Sequence, residues 1–440
     1  MKMNKIAKAF AVMTALALIA LMPSCGDNNK INNDWRPNDM NVNLKSDTLA
    51  VKKVENLPED FIFGMDASCV PALEASGVKY YDFNGEEKDV YQILSESGVN
   101  YIRVRIWNDP FDKDGNGYGG GNCDINNAIE VGKRATKYGM KLLVNFHYSD
   151  FWADPAKQMV PKAWQGMSIE EKTDAVYSYT KECLEKLVAA GVDVGMVQIG
   201  NETNGVLCGE SREELGGWKN ITDLMSAGSR AVREVCPHAL VVIHFSNPEV
   251  VGSYDSYSAN LDYYGVDYDV FASSYYPFWH GTLDNLAAQL NRVTEKYGKP
   301  VMIAETSYAY TPRDSDFFDN TIGEGDGFIR KYPYTVQGQA DHVRDVTDTV
   351  VNKIDNGIGV FYWEGTWISV GGESYEENLA LWEKHGSGWA TSYAAEYDPK
   401  DAGNWYGGSS VDNQALFDKN GKALESLKVF ALLKDGNTVP

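Results

Sequence analysis

Short apolar runs alternate with longer helix-like stretches along most of this 440-residue chain. Eight apolar runs, rich in β-branched and aromatic residues, recur at Phe61–Ser68, Tyr101–Trp107, Lys141–Tyr148, Val194–Asn201, Leu240–Asn247, Asp269–Pro277, Val301–Tyr308 and Gly359–Trp367. Helical patterns lie between them at Asp89–Gly98, Ile125–Gly139, Ser168–Gly191, Trp218–Cys236, Leu283–Gly298 and Gln337–Gly357. A strand followed by a helix, repeated along a chain, indicates right-handed βαβ units and a parallel sheet.

The number of repeats predicts how this sheet closes. Eight units are typical of a (β/α)8 barrel, whereas an open doubly wound sheet usually carries a glycine-rich phosphate loop after its first strand. The segment Phe63-Gly-Met-Asp-Ala-Ser-Cys offers no such loop. We therefore predict an α/β fold, a single TIM barrel with extended loops. A C-terminal tail, residues 369–426, should wrap the cleft side before a final helix near Leu424–Leu433.

The first residues have the pattern of a secretory signal. Lys2, Lys5 and Lys8 precede an apolar stretch, Ala9–Met22, that is too short to span a bilayer comfortably. A small residue before Cys25 and the polar residues after it resemble a bacterial lipobox, in which the cysteine becomes the lipidated first residue. The alternative is a signal peptide cleaved elsewhere, with an incidental cysteine at this position.

These features divide the chain into three parts. Residues 1–24 are predicted to be a lipoprotein signal peptide, and residues 25–57, which are polar and without periodicity, a flexible tether. Residues 58–440 are predicted to form the barrel domain. We expect a protein of the bacterial cell envelope that touches the membrane only through an N-terminal lipid anchor, on the outer-membrane surface.

Charge and composition restrict the partners. The net charge is −22, which repels nucleic acid and anionic membrane surfaces, so we expect neither as a ligand. The 11 Trp and 26 Tyr residues suit neutral sugars, whose C–H faces stack on aromatic rings, although most rings in any protein fill its core. Five cysteines follow Cys25, an odd number that makes disulfides optional. We expect a monomer.

Two glutamates close strand-like runs at the positions where barrel enzymes carry their chemistry. Glu202 follows the fourth run and Glu305 lies in the seventh. Because catalytic groups of such barrels sit at the carboxyl ends of the strands, both acids should point into one cleft. Two carboxyl groups about 5–5.5 Å apart, one protonated and one ionised, can cleave a glycosidic bond with retention and without an organic cofactor.

An Asn directly before the fourth-strand Glu, with a second Glu on the seventh strand, resembles the retaining (β/α)8 glycoside hydrolases. The resemblance narrows to glycoside hydrolase family 53 on seven segments that together span nearly the whole barrel. They are Phe63-Gly-Met-Asp-Ala-Ser, Arg103-Val-Arg-Ile-Trp-Asn-Asp-Pro, Asn145-Phe-His-Tyr-Ser-Asp-Phe-Trp-Ala-Asp-Pro, Gln198-Ile-Gly-Asn-Glu-Thr-Asn-Gly, Phe271-Ala-Ser-Ser-Tyr-Tyr-Pro-Phe-Trp, Ala304-Glu-Thr-Ser-Tyr and Val360-Phe-Tyr-Trp-Glu. The resemblance implies an endo-β-1,4-galactanase acting on galactan in type I arabinogalactan and pectin, with Glu202 as acid/base and Glu305 as nucleophile.

The resemblance also implies supporting residues. One of Arg103 and Arg105 should hold the nucleophile ionised, and the resemblance favours Arg105 as the one that faces the cleft. The alternative is an arginine that bridges barrel layers through a salt link. His147 should hydrogen-bond a sugar hydroxyl, because six histidines without a His-x-His pair do not suggest a metal-dependent hydrolase.

Further residues are expected around the sugar. Asn201 should bind the 2-hydroxyl at the cleavage point, and Tyr275 or Tyr276 should orient Glu305; the sequence does not distinguish the two tyrosines. Trp363 should form the platform under the sugar on the non-reducing side. The remaining cleft candidates, each of which could instead be a packing residue, are Asp66, Trp107, Trp152 and Trp279. The rival carboxylate Glu364 is interpreted as structural or substrate-binding.

An acidic loop follows the seventh strand. Oxygen-bearing side chains at Asp314, Asp316 and Asn320, with a backbone carbonyl available at Phe318, resemble a calcium-binding loop in spacing. Some bacterial family members carry calcium at the matching place, and by resemblance Ser409 and Asp412 would complete the set. We expect a structural Ca²⁺; the alternative is a solvated acidic turn.

The sequence thus predicts a surface-tethered galactanase that needs no organic cofactor. Two other functions stay open. One is a hydrolase of β-mannan or β-glucan with the same acid pair, because groove shape is not legible from residue types. The other is a non-catalytic protein that binds surface glycans on the same scaffold.

Overall fold

The eight predicted strands form a closed parallel barrel in the computed structural model, which describes residues 46–325 and 327–439. The strands are β1 Ile62–Asp66, β2 Tyr101–Ile106, β3 Lys141–Phe146, β4 Val194–Ile199, β5 Leu240–Phe245, β6 Val270–Ser274, β7 Val301–Thr306 and β8 Gly357–Tyr362. Each strand pairs with the next along the chain, and β8 closes the barrel against β1, with Ile62 opposite Gly359. The predicted (β/α)8 fold is confirmed.

Helices connect the strands and continue into the tail. They are α1 Val70–Ala75, α2 Val90–Glu96, α3 Ile125–Lys137, α4 Ile169–Ala189, α5 Gly217–Val235, α6 Ser253–Tyr263, α7 Leu283–Tyr297, α8 Val336–Asn352, α9 Tyr375–His385 and α10 Val429–Leu432. All six helical stretches expected between the strands are present. Sequence analysis missed α1, α6 and α9. Of these, α6 mixes Ser, Tyr, Asp and Asn with few aliphatic residues, so its apolar period is weak.

Side-chain caps explain where several helices begin. Asp124 accepts a hydrogen bond from the Asn127 backbone N–H at the start of α3. Ser168 and Glu171 form a reciprocal capping box at the start of α4. Such caps satisfy backbone donors that have no partner within the helix, and each contributes about 1 kcal/mol. The carboxyl end of α7 is a left-handed Gly298, with φ 64°.

Two apolar layers make up the barrel. The larger lies between strands and helices, and the smaller fills the barrel interior with side chains such as Leu143, Met196, Val242 and Phe361. Gly64 on β1 leaves space for the Phe361 ring in the barrel interior, because a Cβ at this position would overlap that ring. The interior is therefore a packed core and not a channel.

The N-terminal boundary of the folded body differs from the prediction. Residues 46–57 were assigned to the flexible tether, yet Leu49, Val51 and Val54 are buried in the core. The Val51 backbone N–H donates to Asn437 O at 2.8 Å, so this segment pairs with the end of the chain. A tether reaching residue 57 is therefore wrong. The proposed signal peptide, Cys25 and the tether up to residue 45 lie outside the described residues.

The tail wraps the cleft side of the barrel, as predicted. After α9, the backbone oxygens of residues 386–389 accept hydrogen bonds from the loops that follow β2, β3 and β8. The final turn, Glu425–Lys428, and α10 then pack near the start of β1, where Phe430 contacts Phe63.

Two further observations concern the described residues. The cysteines are all buried and no disulfide joins any two of them; they are Cys69, Cys123, Cys183, Cys208 and Cys236. Cys183 lies in the core between strands and helices. None of the helices in the described ranges is both long and apolar enough to cross a membrane.

Candidate active site

Unusual backbone angles cluster where the strands end. Non-glycine residues with positive φ follow β3, β4, β5 and β8, at Tyr148 (50°), Glu202 (38°), Asn247 (63°) and Glu364 (44°). Such angles are uncommon for residues with a side chain and cost free energy, so they persist only where the surrounding structure holds them. At this end of the barrel these backbone angles turn the chain sharply and place Glu202 and Glu364 beside the carboxyl ends of the strands.

Glu305 on β7 is fully buried and held by two donors. The Arg103 guanidinium donates to Oε1, and the Tyr276 hydroxyl donates to Oε2 at 2.5 Å. Tyr275 faces elsewhere, since its hydroxyl donates to the Gly281 backbone oxygen at 3.1 Å. Of the two tyrosines left open by the sequence, Tyr276 is the one that contacts Glu305.

The arginine next to Glu305 is Arg103, so the choice of Arg105 for this contact is wrong. Both side chains lie on the same side of β2, but Arg105 is two residues, about 6.6 Å, farther along the strand. At that height it pairs with Glu364 and donates to Cys69 Sγ at 2.9 Å. The Arg105 guanidinium also lies over the Trp152 ring, 4.3 Å from its centroid.

Asp66 lies between these two arginines. Its Oδ2 is 2.8 Å from Arg103 Nη1, and its Oδ1 is 3.7 Å from Arg105 Nη1. Glu364 is buried beside Arg105, which fits the interpretation of this glutamate as a structural carboxylate. Burial, followed by the charge of Asp66, raises the pKa of Glu364 to about 8, and Arg105 opposes the rise.

Glu202 has a different environment from Glu305. It is buried, and the Ser274 hydroxyl donates to its Oε1 at 3.0 Å. Ser274 is at the end of β6, where it lies opposite Glu305 in the strand register, so its neighbours include both glutamates. Sequence analysis missed Ser274; its position two residues before Tyr276, on the same strand side, was the available signal.

The two glutamates differ in the groups that counteract the effect of burial on their pKa values. Burial and the charge of Glu305 raise the pKa of Glu202 well above its ordinary range, and the hydroxyls of Ser246 and Ser274 oppose the rise. Burial also raises the pKa of Glu305, but there Arg103 and Tyr276 oppose the rise. A guanidinium favours the charged carboxylate more than a neutral hydroxyl does, so Glu305 is the member that ionises first.

Asn201 and His147 belong to one hydrogen-bond network beneath the cleft. Asn145 Nδ2 donates to Asn201 Oδ1 at 2.9 Å, and Asn201 Nδ2 donates to the Ala153 oxygen at 2.6 Å. Trp107 Nε1 donates to His147 Nδ1 at 3.1 Å. Burial, followed by Arg105 and Arg103, lowers the pKa of His147 well below its usual value, so this histidine is neutral.

The four candidate tryptophans are not equivalent. Trp107 and Trp152 are buried, and Trp152 is fixed by donation from its Nε1 to the Trp389 oxygen at 3.0 Å. Trp363 is 5% exposed, and its ring is tilted by 51° to that of Trp152, with centroids 6.3 Å apart. Trp279 is partly exposed and packs against Tyr276, with ring centroids 5.4 Å apart. Trp279 is therefore the most accessible of the four rings.

The acidic loop forms a second cluster of carboxylates. Oxygens of Asp314, Asp316 and Asp412 lie within 4.8 Å of one another. Asp412 accepts from Asn320 Nδ2 at 2.6 Å, and the Ser409 backbone N–H donates to Asp316 at 2.8 Å. Sequence analysis therefore identified residues that do lie together, although Ser409 contacts the cluster through its backbone.

The protonation of this loop is also perturbed. Burial, followed by the charge of Asp412, raises the pKa of Asp316 well above its ordinary range. Burial raises the pKa of Asp412 to about 6. Among the residues that the structure describes, the buried Asn320 Oδ1 accepts no hydrogen bond. Three carboxylates and an unpartnered amide oxygen form a set of hard oxygen donors, which suits a cation such as Ca²⁺.

A closed (β/α)8 barrel with two buried, differently held glutamates at the ends of β4 and β7 has the features of a glycoside hydrolase. Comparison with known families identifies which one. Residues 62–430 match the model of glycosyl hydrolase family 53, and the chain belongs to this family.

Several known proteins are similar to this chain over most of their length. An endo-β-1,4-galactanase of Bacillus subtilis (strain 168) is 56% identical over 395 residues, which cover 90% of this chain and 91% of the relative. An arabinogalactan endo-β-1,4-galactanase of Humicola insolens is 31% identical and covers 83% of this chain and 98% of its own. The family 53 catalytic domain of Ignisphaera aggregans matches in structure with a TM-score of 0.77 at 39% identity, covering 88% of this chain and 99% of that domain.

Proposed function

We propose that this enzyme is an endo-acting galactanase that hydrolyses internal β-1,4-galactosidic linkages of galactan and type I arabinogalactan, with retention of configuration. The observation that carries the proposal is the contrast between two buried glutamates in one strand-end cluster. Glu305 contacts a guanidinium and a tyrosine hydroxyl, whereas the hydrogen-bond partners of Glu202 among the described residues are serine hydroxyls. The galactanases of Bacillus subtilis and Humicola insolens support galactan as the substrate.

The contrast assigns a role to each acid. Glu202, which keeps its proton, donates it to the departing glycosidic oxygen while the Glu305 carboxylate attacks the anomeric carbon. The bond to the leaving sugar breaks, and an ester forms between the anomeric carbon and Glu305. Glu202, now ionised, takes a proton from water, and the resulting attack releases Glu305 as a carboxylate. Two inversions give net retention.

The neighbouring residues prepare these steps. Arg103 and Tyr276 favour the ionised form of Glu305 and fix both its oxygens. Asn201 is oriented by Asn145 and Ala153, and its remaining amide hydrogen is the group we assign to the sugar 2-hydroxyl. Trp363 and Trp279 are the rings that we assign to stacking on galactose, because both keep some exposed surface.

The roles are tested by azide rescue of two truncations. With an activated aryl galactoside, Glu202→Ala should regain turnover with azide and form the β-galactosyl azide, because azide then attacks the covalent intermediate. Glu305→Gly should form the α-galactosyl azide by direct attack. The same anomer from both variants, or near-wild-type turnover without azide, would contradict the assignment.

Substrate class is tested with purified protein on galactan, β-mannan and β-glucan. We expect oligosaccharides of several lengths from galactan, and initial products in the β configuration by NMR. Faster release from mannan or glucan would favour the related hydrolase. Binding of galactan without any release would favour a glycan-binding protein.

We also propose that the acidic loop holds one structural Ca²⁺. The side chains of Asp314, Asp316, Asn320 and Asp412 would supply oxygens, together with backbone or hydroxyl oxygens of Phe318 and Ser409. Bound calcium compensates the negative charge of the cluster and takes no part in the reaction. The unpartnered Asn320 Oδ1 and the raised pKa values of Asp316 and Asp412 support this proposal.

Finally, we propose that Cys25 carries a lipid anchor that holds the enzyme at the outer-membrane surface, with residues 25–45 as the tether. The support is the sequence pattern of residues 1–30. Metabolic labelling with a palmitate analogue should mark the wild type and leave Cys25→Ala unlabelled. Equal labelling of both would contradict the anchor.

A further inference from the structure

Glu202, Ser274 and His244 form a row of three buried side chains that ends near the carboxyl end of strand β5. Ser274 Oγ lies 3.0 Å from Glu202 Oε1 and 3.1 Å from His244 Nε2. His244 is on β5, Ser274 ends β6 and Glu202 follows β4, so the row joins the ends of three neighbouring strands. All three residues are at most 1% exposed, so bulk water does not compete for these contacts.

The serine hydroxyl has only one proton, so its direction depends on the tautomer of His244. If Nε2 carries the proton, it donates to Ser274 Oγ, and the hydroxyl must donate to Glu202. If Nδ1 carries the proton, Ser274 donates to Nε2 and accepts the acid proton of Glu202. The two arrangements place the proton of Glu202 on different oxygens.

The surroundings of His244 Nδ1 favour the arrangement in which Nε2 carries the proton. His244 is neutral, because burial and Arg103 lower its pKa well below the usual range. Within the described part of the chain, its buried Nδ1 has no hydrogen-bond partner. A proton on Nδ1 would leave an orphaned buried N–H, which proteins avoid more strongly than an orphaned acceptor.

We propose that His244 is a positioning residue for Glu202, acting through Ser274. The histidine makes Ser274 a permanent donor to Oε1, which keeps the acid proton of Glu202 on Oε2. In the opposite arrangement, the acid proton would sit on Oε1 and be donated in a hydrogen bond to Ser274. It would then not be available for the leaving group. The inference rests on the proposed role of Glu202 as general acid.

The His244 backbone holds the same region independently of its side chain. Its carbonyl accepts from the Thr203 backbone N–H at 3.2 Å and from Thr203 Oγ1 at 3.3 Å. Thr203 directly follows Glu202, whose backbone has positive φ. A side-chain substitution of His244 leaves this carbonyl in place, so it tests the imidazole alone.

The test uses two variants that differ in where a donor nitrogen sits. The amide nitrogen of His244→Gln lies three bonds from Cβ, like Nε2, whereas that of His244→Asn lies two bonds from Cβ, like Nδ1. We measure kcat/KM for two aryl β-galactobiosides, one with a poor phenol leaving group and one with 2,4-dinitrophenol. The poor leaving group needs an acid, and dinitrophenolate does not.

The expected result is a split between variants and between substrates. On the substrate with the poor leaving group, His244→Asn should lose about 10- to 100-fold in kcat/KM, less than the full 10²–10⁴ that a general acid contributes, because Glu202 itself is still present. On the dinitrophenyl substrate the loss should be less than about threefold. His244→Gln should stay within about threefold of wild type on both. Equal losses for Asn and Gln, or a loss of equal size on both substrates, would overturn the proposal.

Two further variants keep the outcomes distinct. Ser274→Ala removes the same contact with a smaller change and should show the same split, so it decides the question if His244→Asn does not fold. Glu202→Gln is measured beside them. If it loses activity equally on both substrates, the proposed acid role fails; if it shows the split and the His244 and Ser274 variants do not, only this inference fails.

Discussion

The molecule has two largely buried groups of carboxylates, and they differ in how the negative charge is compensated. The cleft cluster contains Asp66, Glu202, Glu305 and Glu364, and it includes the guanidinium groups of Arg103 and Arg105. The loop cluster contains Asp314, Asp316 and Asp412, which accept hydrogen bonds from backbone N–H groups, Ser315 and Asn320. Among the described residues, no lysine or arginine forms an ion pair with any member of the loop cluster.

The difference explains what each cluster can do. Isolated buried charges are costly and shift their pKa values unless a counter-charge is present. In the cleft the protein supplies its own counter-charges, and their uneven distribution separates the two catalytic candidates. In the loop it supplies only neutral donors, so the cluster either keeps protons or takes up a cation. The cleft therefore suits the proton transfer that we propose, and the loop suits the proposed calcium site.

The largest effect should come from removing one arginine of the cleft cluster. Arg103→Gln takes the cation away from Glu305, so the pKa of Glu305 rises further and a smaller fraction of this residue is ionised at neutral pH. We expect kcat/KM to fall about 10²–10³-fold, the usual cost of one preorganised donor to a reacting group.

The matched control is Arg105→Gln. It should cost about tenfold in kcat/KM, because Arg105 contacts Glu364 and not Glu305. Both variants should lose thermal stability, since each leaves a buried carboxylate without its partner. If Arg105→Gln, while folded, costs as much activity as Arg103→Gln, the division of labour between the two arginines is wrong.

A smaller effect is expected from the second donor to Glu305. Tyr276→Phe removes a hydrogen bond that favours the carboxylate, so the pKa of Glu305 should rise. The acidic limb of the kcat/KM profile should therefore move to higher pH, with a loss of about tenfold at neutral pH, the value of one charge-assisted hydrogen bond. Tyr275→Phe serves as the control and should leave that limb in place. An unchanged limb in Tyr276→Phe would contradict the contact.

The loop cluster should respond to calcium in a pH-dependent manner. In the metal-free protein the pKa of Asp412 is about 6, above its ordinary 3.8. The unfolded chain therefore ionises first, and the metal-free fold loses stability as pH rises from about 4 to about 6. Calcium at 100 times its Kd should restore about 2.7 kcal/mol above that window and little below it. Melting temperatures with Ca²⁺ and with EGTA across this pH range measure the difference.

The smallest effect should come from one charge at the edge of the loop cluster. Asp314 is exposed, and its Oδ1 accepts from the Asp316 backbone N–H at 2.9 Å, a bond that asparagine can keep. Asp314→Asn should weaken calcium binding about tenfold by removing one charged ligand. In EGTA its melting temperature should equal or slightly exceed that of wild type. A calcium midpoint identical to wild type would exclude Asp314 from the site.

Local pattern was enough to predict the barrel, its strand ends and the placement of both glutamates, because these depend on the alternation of strand and helix along the chain. It was not enough to choose between Arg103 and Arg105. Alternation shows that they share a side of β2, but their heights relative to Glu305 depend on pairing around the whole barrel. The sequence could not distinguish Tyr275 from Tyr276 for a similar reason. A register shift between Ser273 and Ser274 precedes both tyrosines, so simple alternation does not say which one faces Glu305.

The prediction that the tether extends to residue 57 was wrong for another reason. Leu49, Val51 and Val54 stand among polar residues, so composition alone suggested an unfolded segment. Their partners include residues near the opposite end of the chain, such as Leu433 and Asn437. A contact across nearly four hundred residues leaves no local signal.

The pairing of residues 46–57 with the chain terminus has a consequence for how the enzyme would meet a polymer. This segment leads into the start of β1, and Asn352, near the start of β8, holds the Glu55 oxygen. The chain therefore joins the barrel at the end where the strands begin, opposite the strand ends that carry Glu202 and Glu305. A support attached upstream of Ser46 would therefore connect to the barrel on the side away from the two glutamates, which favours the access of a long galactan to them.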